Sequence, residues 1–287
     1  MSEASRLSAI AVDAGLGSDA RLAEPSGLAA LRGQLGIIAA LLAAAAVAWW
    51  ATVDRMAGMD AGPGTHLGAL GWFTGLWAVM MAAMMLPSLA PTVAVQATLA
   101  RRDLVRVVLF AGGYLLVWTA AGVVAFGLFD LGKSVSGSAL AWHSGGRWLA
   151  AGVLLLAALY QLTPYKQAFL QRCRSPLHSL GATWRDSRSG AFVMGLRSGG
   201  WCLGCSWALM AALFALGVMS VTWMVVIALL VALEKVGPWG RPAKLATAAV
   251  LIALAGSMLA FPHELPGFVV PGSAGAMHAM KQVGTVG

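Results

Sequence analysis

The stretch GGWCLGCSWALMAALFALGVMSVTWMVVIALLVALEKV, residues 199–236, decides the fold. Its first 35 residues, 199–233, carry no Asp, Glu, Lys, Arg or His. As a single helix the stretch would run roughly 50 Å or more at about 1.5 Å per residue. A bilayer core is about 30 Å thick. One crossing is therefore too short, and the sequence predicts a tight hairpin of two spans broken at residues 217–220, where Gly217 and Ser220 stand.

Composition extends this reading to the whole chain. Hydrophobic residues make up 59% of the 287, charged residues 10%, and mean hydropathy is +0.79. A soluble domain carries about 25% charge. So little charge cannot cover a water-facing surface, and an all-α, polytopic transmembrane bundle follows. The apolar composition excludes a disordered chain, and three Cys exclude a disulfide scaffold.

Apolar runs of spanning length fall at 34–53, 68–90, 104–128, 147–162, 199–218, 220–236 and 244–261. Seven crossings are expected, with six as the alternative, because 147–162 is short. Residues 1–33 form a polar amino-terminal segment without the pattern of a cleavable signal. Residues 34–261 form the membrane domain, including a basic loop at 163–198, and 262–287 form a tail. Under this count, alternate compartments hold fifteen and four of the nineteen Lys and Arg. Positive charge collects on the cytoplasmic side. The amino terminus is therefore expected in the cytoplasm and the tail outside, as in a bacterial-type inner membrane. The net charge of +8 is then topological and attracts anionic headgroups. No basic face suited to nucleic acid is present.

Three spans depart from plain lipid-facing helix. The second holds Met80, Met81, Met84 and Met85, followed by Pro87. Met80 aligns with Met84, and Met81 with Met85, at i and i+4. Thioether sulfur suits Cu(I), although Met also fills cores as an unbranched side chain. The fifth span opens with Cys202 and Cys205. Three residues apart on a helix, they share a face and can share an ion. Gly195 with Gly199, and Gly200 with Gly204, form small-residue pairs that let another helix approach.

The expected topology brings the end of the second span, the start of the fifth and the end of the sixth, with Glu234 and Lys235, to one membrane level just inside the cytoplasmic face. An ionisable residue at that depth is a functional candidate. Cys173, in the basic loop, lies on the same side. Cytoplasmic thiols stay reduced, and this favours Cu(I) or Zn(II) over a disulfide. A sparser outer set comprises Met56, Met59, Asp60 and His66, with His263, Glu264, Met277, His278 and Met280 in the tail. His143 reads as an interfacial residue and His178 as a solvated loop residue.

Three blocks carry a family resemblance. One runs from Trp77 through Met80, Met84 and Met85 to Pro87, Ser88 and Pro91. A second runs from Tyr160 through Pro164 and Lys166 to Cys173, Arg174 and Pro176. The third holds Gly195, Cys202, Gly204, Cys205, Trp207 and Met210, then Gly217, Trp223, Glu234, Lys235 and Pro238. The chain resembles the DUF2182 family of predicted metal-binding integral membrane proteins, some labelled copper chaperones. The resemblance implies metal handling, with copper first and sulfur residues as ligands. Relative to that pattern, Phe169 replaces a Cys, Ser206 another Cys, and Ser198 a His.

The expected function is thus binding of a soft ion, Cu(I) with Zn(II) as alternative, for copper delivery or homeostasis. Cys202 and Cys205 are the main ligands, Met80, Met84 and Met85 secondary ligands or a relay, and Cys173 the ligand met first. Glu234 is a charge or proton partner. The recipient is a membrane metalloenzyme or a copper-trafficking protein. The alternatives are a metal-free assembly subunit of a membrane complex, which would use the glycines for helix contacts, and a small-solute permease. No nucleophile–His–acid set, phosphate loop or dinucleotide fingerprint is present, so no enzyme is expected.

Overall fold

The computed structural model describes residues 26–56, 69–99, 103–136, 146–174, 187–218, 220–237 and 240–260. Among these residues every regular element is helical. The elements are α1 (Ser26–Met56), α2 (Leu70–Leu99), α3 (Leu104–Ser136), α4 (Arg147–Leu162), α5 (Pro164–Arg174), α6 (Arg188–Leu216), α7 (Val221–Val236) and α8 (Gly240–Ala260). All five histidines, the outer set apart from Met56, and the tail lie outside the described residues.

Five helices are long and apolar enough to cross a membrane. They are Leu35–Met56 of α1, Leu70–Ala97 of α2, Leu104–Gly132 of α3, α6 and α8. Helices α4 and α5 make a sixth candidate if the pair, bent by 68°, counts as one span. The sixth expected crossing, 220–236, exists only as the 16 residues of α7. At about 1.5 Å per residue it is roughly 24 Å long, less than the apolar core of a bilayer. Five such helices, or six with the bent pair, are consistent with a multi-pass membrane protein, and a count of seven is not confirmed.

The break between α6 and α7 falls where the sequence places it. Gly217 takes φ 113°, a left-handed conformation open to glycine, and its N–H still bonds Leu213 O at 3.0 Å. The Ser220 N–H returns to Gly217 O at 3.0 Å, and α7 folds back along α6. Because α7 is short, its last turn ends level with the middle of the 29-residue α6.

Helix α5 fills the space that this shortness leaves. Pro164 has no N–H to continue α4 and biases the preceding residue towards extended backbone. Thr163 accordingly sits at φ −72°, ψ 148°. Its Oγ1 donates to Tyr160 O at 2.8 Å and accepts the Lys166 N–H at 3.3 Å, closing one helix and opening the next. The segment 163–198, expected as a basic loop, thus contains α5 and the first turns of α6. The α5 helix docks on α6 through Phe169 against Trp201 and through the Arg172 guanidinium 4.0 Å over the Trp201 ring.

The interior centres on α2 and α6, the most enclosed spans. Helices α3 and α6 run parallel in close backbone contact. A Cβ added to Gly195 would overlap the Phe110 carbonyl, and one on Gly199 would stand 2.9 Å from Tyr114 O. The Gly195/Gly199 pair expected from sequence is therefore used inside the chain, whereas nothing stands within 4 Å of a Cβ on Gly200. Helix α4 buries Ala150, Ala151, Leu154, Ala157, Ala158 and Gln161, one stripe at helical period. It packs along α8. Away from the short end of α7, Phe73, Trp77, Phe126 and Phe214 interlock with centroids 5.2–6.4 Å apart. The Trp77 indole also donates to Trp118 O at 2.8 Å.

Candidate metal centre

The level at which α7 stops is where sulfur gathers. From α6, Cys202 and Cys205 are 2% and 1% exposed. Cys173 arrives from the end of α5, and its Sγ lies 3.6 Å from that of Cys205. Met85 arrives from α2, with Sδ 4.0 Å from Cys202 Sγ. All three cysteines are free thiols. Two ligands on one tetrahedral ion, with metal–sulfur bonds of about 2.3 Å, stand about 3.8 Å apart. Both sulfur pairs are close to that spacing, so the donors fit a soft ion. Among the described residues no three Cys, His, Asp or Glu side chains converge as a metal cage. A site here depends on thiol pairs and a thioether.

Two further groups bear on Cys202. Tyr114 Oη of α3 donates to its Sγ at 2.8 Å, and Lys235 Nζ of α7 does so at 2.8 Å. The same ammonium lies 3.6 Å from Met85 Sδ and 3.4 Å from Ser88 Oγ. Cys205 Sγ contacts Cys202 O at 3.2 Å and Ser206 Oγ at 3.3 Å. A cavity of about 190 Å³ adjoins the thiols, with Ser88, Thr92, Tyr114, Cys173, Cys202 and Lys235 in its wall. Helix α2 continues through Pro87 and Pro91 to Leu99, beyond the end expected at residue 90, and Pro91 helps to line this cavity. Each proline frees a carbonyl one turn earlier, which is tolerated where the backbone lies inside protein.

Several expected residues stand elsewhere. Among the described residues the thioether that meets a thiol is that of Met85. Met80 and Met84 are buried in the apolar core. On a helix they stand about 140° and 100° round from Met85, so a single face does not offer all three. Glu234 also turns away from the sulfur. It forms an ion pair with Lys166 of α5 at 2.5 Å, both side chains being at most 3% exposed. The residue facing the thiols is its neighbour Lys235. Tyr114 is absent from the sequence expectations, and Lys166 enters them only within a family block, with no role at the site. The signal available was an acidic and a basic residue within reach of one membrane level.

The basic residues of two separate segments meet at this end of the bundle. The Arg174 guanidinium donates to Gly237 O, and Lys244 Nζ donates to Gln167 Oε1 at 2.9 Å. These contacts tie α5 to the end of α7 and the start of α8.

A family model described as PpoB2, copper chaperone, matches residues 74–258. The chain belongs to that family. The match bears out the resemblance to membrane proteins labelled copper chaperones, and the matched region contains every residue of the sulfur cluster. Neither a curated protein nor a solved structure matches the chain. Of the positions where the chain departs from the resemblance, Ser198 lines the cavity and Ser206 touches Cys205. The Phe169 ring packs over Gly204, one turn along α5 from Cys173.

Proposed function

We propose that this protein is a carrier in the cytoplasmic (inner) membrane that takes up Cu(I) on sulfur and passes it to a membrane metalloenzyme or a copper-trafficking protein. The observation that carries the reading is the meeting of Cys173, Cys202, Cys205 and Met85 from three helices beside one cavity. Thiolate and thioether are soft ligands, and Cu(I) is the soft ion of a reducing compartment. Zn(II) also accepts thiolates but gains less from a thioether. The gathering of Lys166, Arg174, Lys235 and Lys244 at this end supports a cytoplasmic position for it, with the amino terminus on the same side. The protein acts by binding and transfer, without a chemical reaction on its cargo.

The glycines behind the alternative of a metal-free assembly subunit favour it less, because Gly195 and Gly199 face α3 and Gly204 faces Phe169 of the same chain, leaving only Gly200 of the four open. The test is copper stoichiometry of the purified full-length protein, with and without Cys202→Ser plus Cys205→Ser. Loss of bound Cu(I) in the double variant is expected. An unchanged stoichiometry ends the proposal.

A further inference from the structure

The two sulfur pairs differ in one respect. Among the described residues no cationic side chain is hydrogen-bonded to Cys173 or Cys205, whereas the Cys202/Met85 pair already holds a cation. Lys235 Nζ lies 2.8 Å from Cys202 Sγ, 3.6 Å from Met85 Sδ and 3.4 Å from Ser88 Oγ. An ammonium nitrogen with three such neighbours stands where an ion shared by these sulfurs would stand. The backbone beneath it is held on both sides. Glu234 is locked to Lys166, and Gly237 O is bonded by Arg174. Movement of the charge is thus left to the lysine side chain. The cavity into which it can swing has the hydroxyls of Ser88, Thr92, Tyr114 and Ser198 in its wall.

We infer that Lys235 is a tethered stand-in ion: it fills the Cys202/Met85 half of the site at rest and admits a monovalent soft metal by turning out into the adjacent cavity. This rests on the copper reading above and adds the order of filling and the basis of selectivity. The uncapped Cys173/Cys205 pair loads first. As Cu(I) binds the second pair, the Cys202 thiol releases its proton to solvent through the cavity and the ammonium withdraws, so no net positive charge is added at the sulfurs. A divalent ion there would add a charge to a poorly solvated interior, and that is costly without a further anion.

The experiment titrates the purified full-length protein with Cu(I) against a chromophoric Cu(I) chelator, and separately with Zn(II), in wild type, Lys235→Met and Lys235→Gln. The wild type is expected to bind one Cu(I) tightly and a second at least tenfold more weakly. Both variants should tighten the second site tenfold or more and gain affinity for Zn(II). Adding Cys202→Ser should erase those gains while leaving the first Cu(I) on Cys173/Cys205. Circular dichroism and gel filtration establish that each variant is folded, and the two uncharged side chains guard against one failing to fold. Second-site affinity that is unchanged or weaker in the folded variants overturns the inference and leaves the carrier reading intact. Absence of Cu(I) from the wild type and both variants overturns both.

Discussion

The sulfur atoms of Cys173 and Cys205 lie 3.6 Å apart although 32 residues separate them in the chain. The approach depends on the turn at Thr163 and Pro164, which redirects α5 by 68° against the flank of α6. A reagent that bridges dithiols, such as a phenylarsine oxide, should therefore attach once per chain across these two residues. Mass spectrometry should show the adduct in wild type and in Cys202→Ser. It should be lost in Cys173→Ser and in Cys205→Ser. Retention in either of the last two would mean that the pair is not a working chelate.

The ion pair of Lys166 and Glu234 is almost wholly buried, and Glu234 Oε1 has no hydrogen-bond partner among the described residues. Removing one partner strands the other charge, which costs about 3–5 kcal/mol for buried pairs. Glu234→Gln should accordingly lower unfolding stability in detergent by that order. Lys166→Met with Glu234→Leu should recover most of the loss, because no charge is then left alone. A single variant as stable as wild type would show that the pair is solvated in the membrane protein.

Gly195 and Gly200 offer a control pair on one helix. A methyl group at Gly195 meets the Phe110 backbone, which cannot step aside, whereas nothing stands within 4 Å of a methyl at Gly200. Gly195→Ala should cost about 1–3 kcal/mol, as forced overpacking does. Gly200→Ala should be neutral or slightly stabilising, since alanine is the better helix former. Thermal melts of the two proteins side by side decide the matter. Equal melting would remove the close α3–α6 packing.

Ser206 touches Cys205, and Ser198 lines the cavity. Each stands where the family resemblance leads one to expect a metal ligand. Ser206→Cys and Ser198→His should each strengthen retention of Cu(I) against a competing chelator. A variant that folds yet holds copper no better would place that position outside the ligand set.

The long apolar helices and the break at Gly217 were legible because composition and the length limit of one crossing leave few alternatives. The thiol pair on α6 was legible because a spacing of three fixes a common face. The orientation of α2 was not. It is apolar on nearly all sides, so nothing in the sequence indicates whether Met84 or Met85 turns inward. Glu234 and Lys235 are consecutive, about 100° apart around α7. Which one meets the sulfur is set by Lys166, a residue that reads as part of a polar loop until Pro164 is seen to start a new helix. Tyr114 was hidden for the same reason as Met85: α3 shows little contrast between its faces.

The aromatic block of Phe73, Trp77, Phe126 and Phe214 has a bearing on traffic through the molecule. Trp77 lies eight residues from Met85 on α2, about 12 Å along the axis. In that direction from the thiols, the interior is filled by these four interlocking rings. In the proposed role, cargo leaves by the doorway through which it came. The molecule is then a depot serving one side of the bilayer, and donor and recipient must take turns at the same threshold.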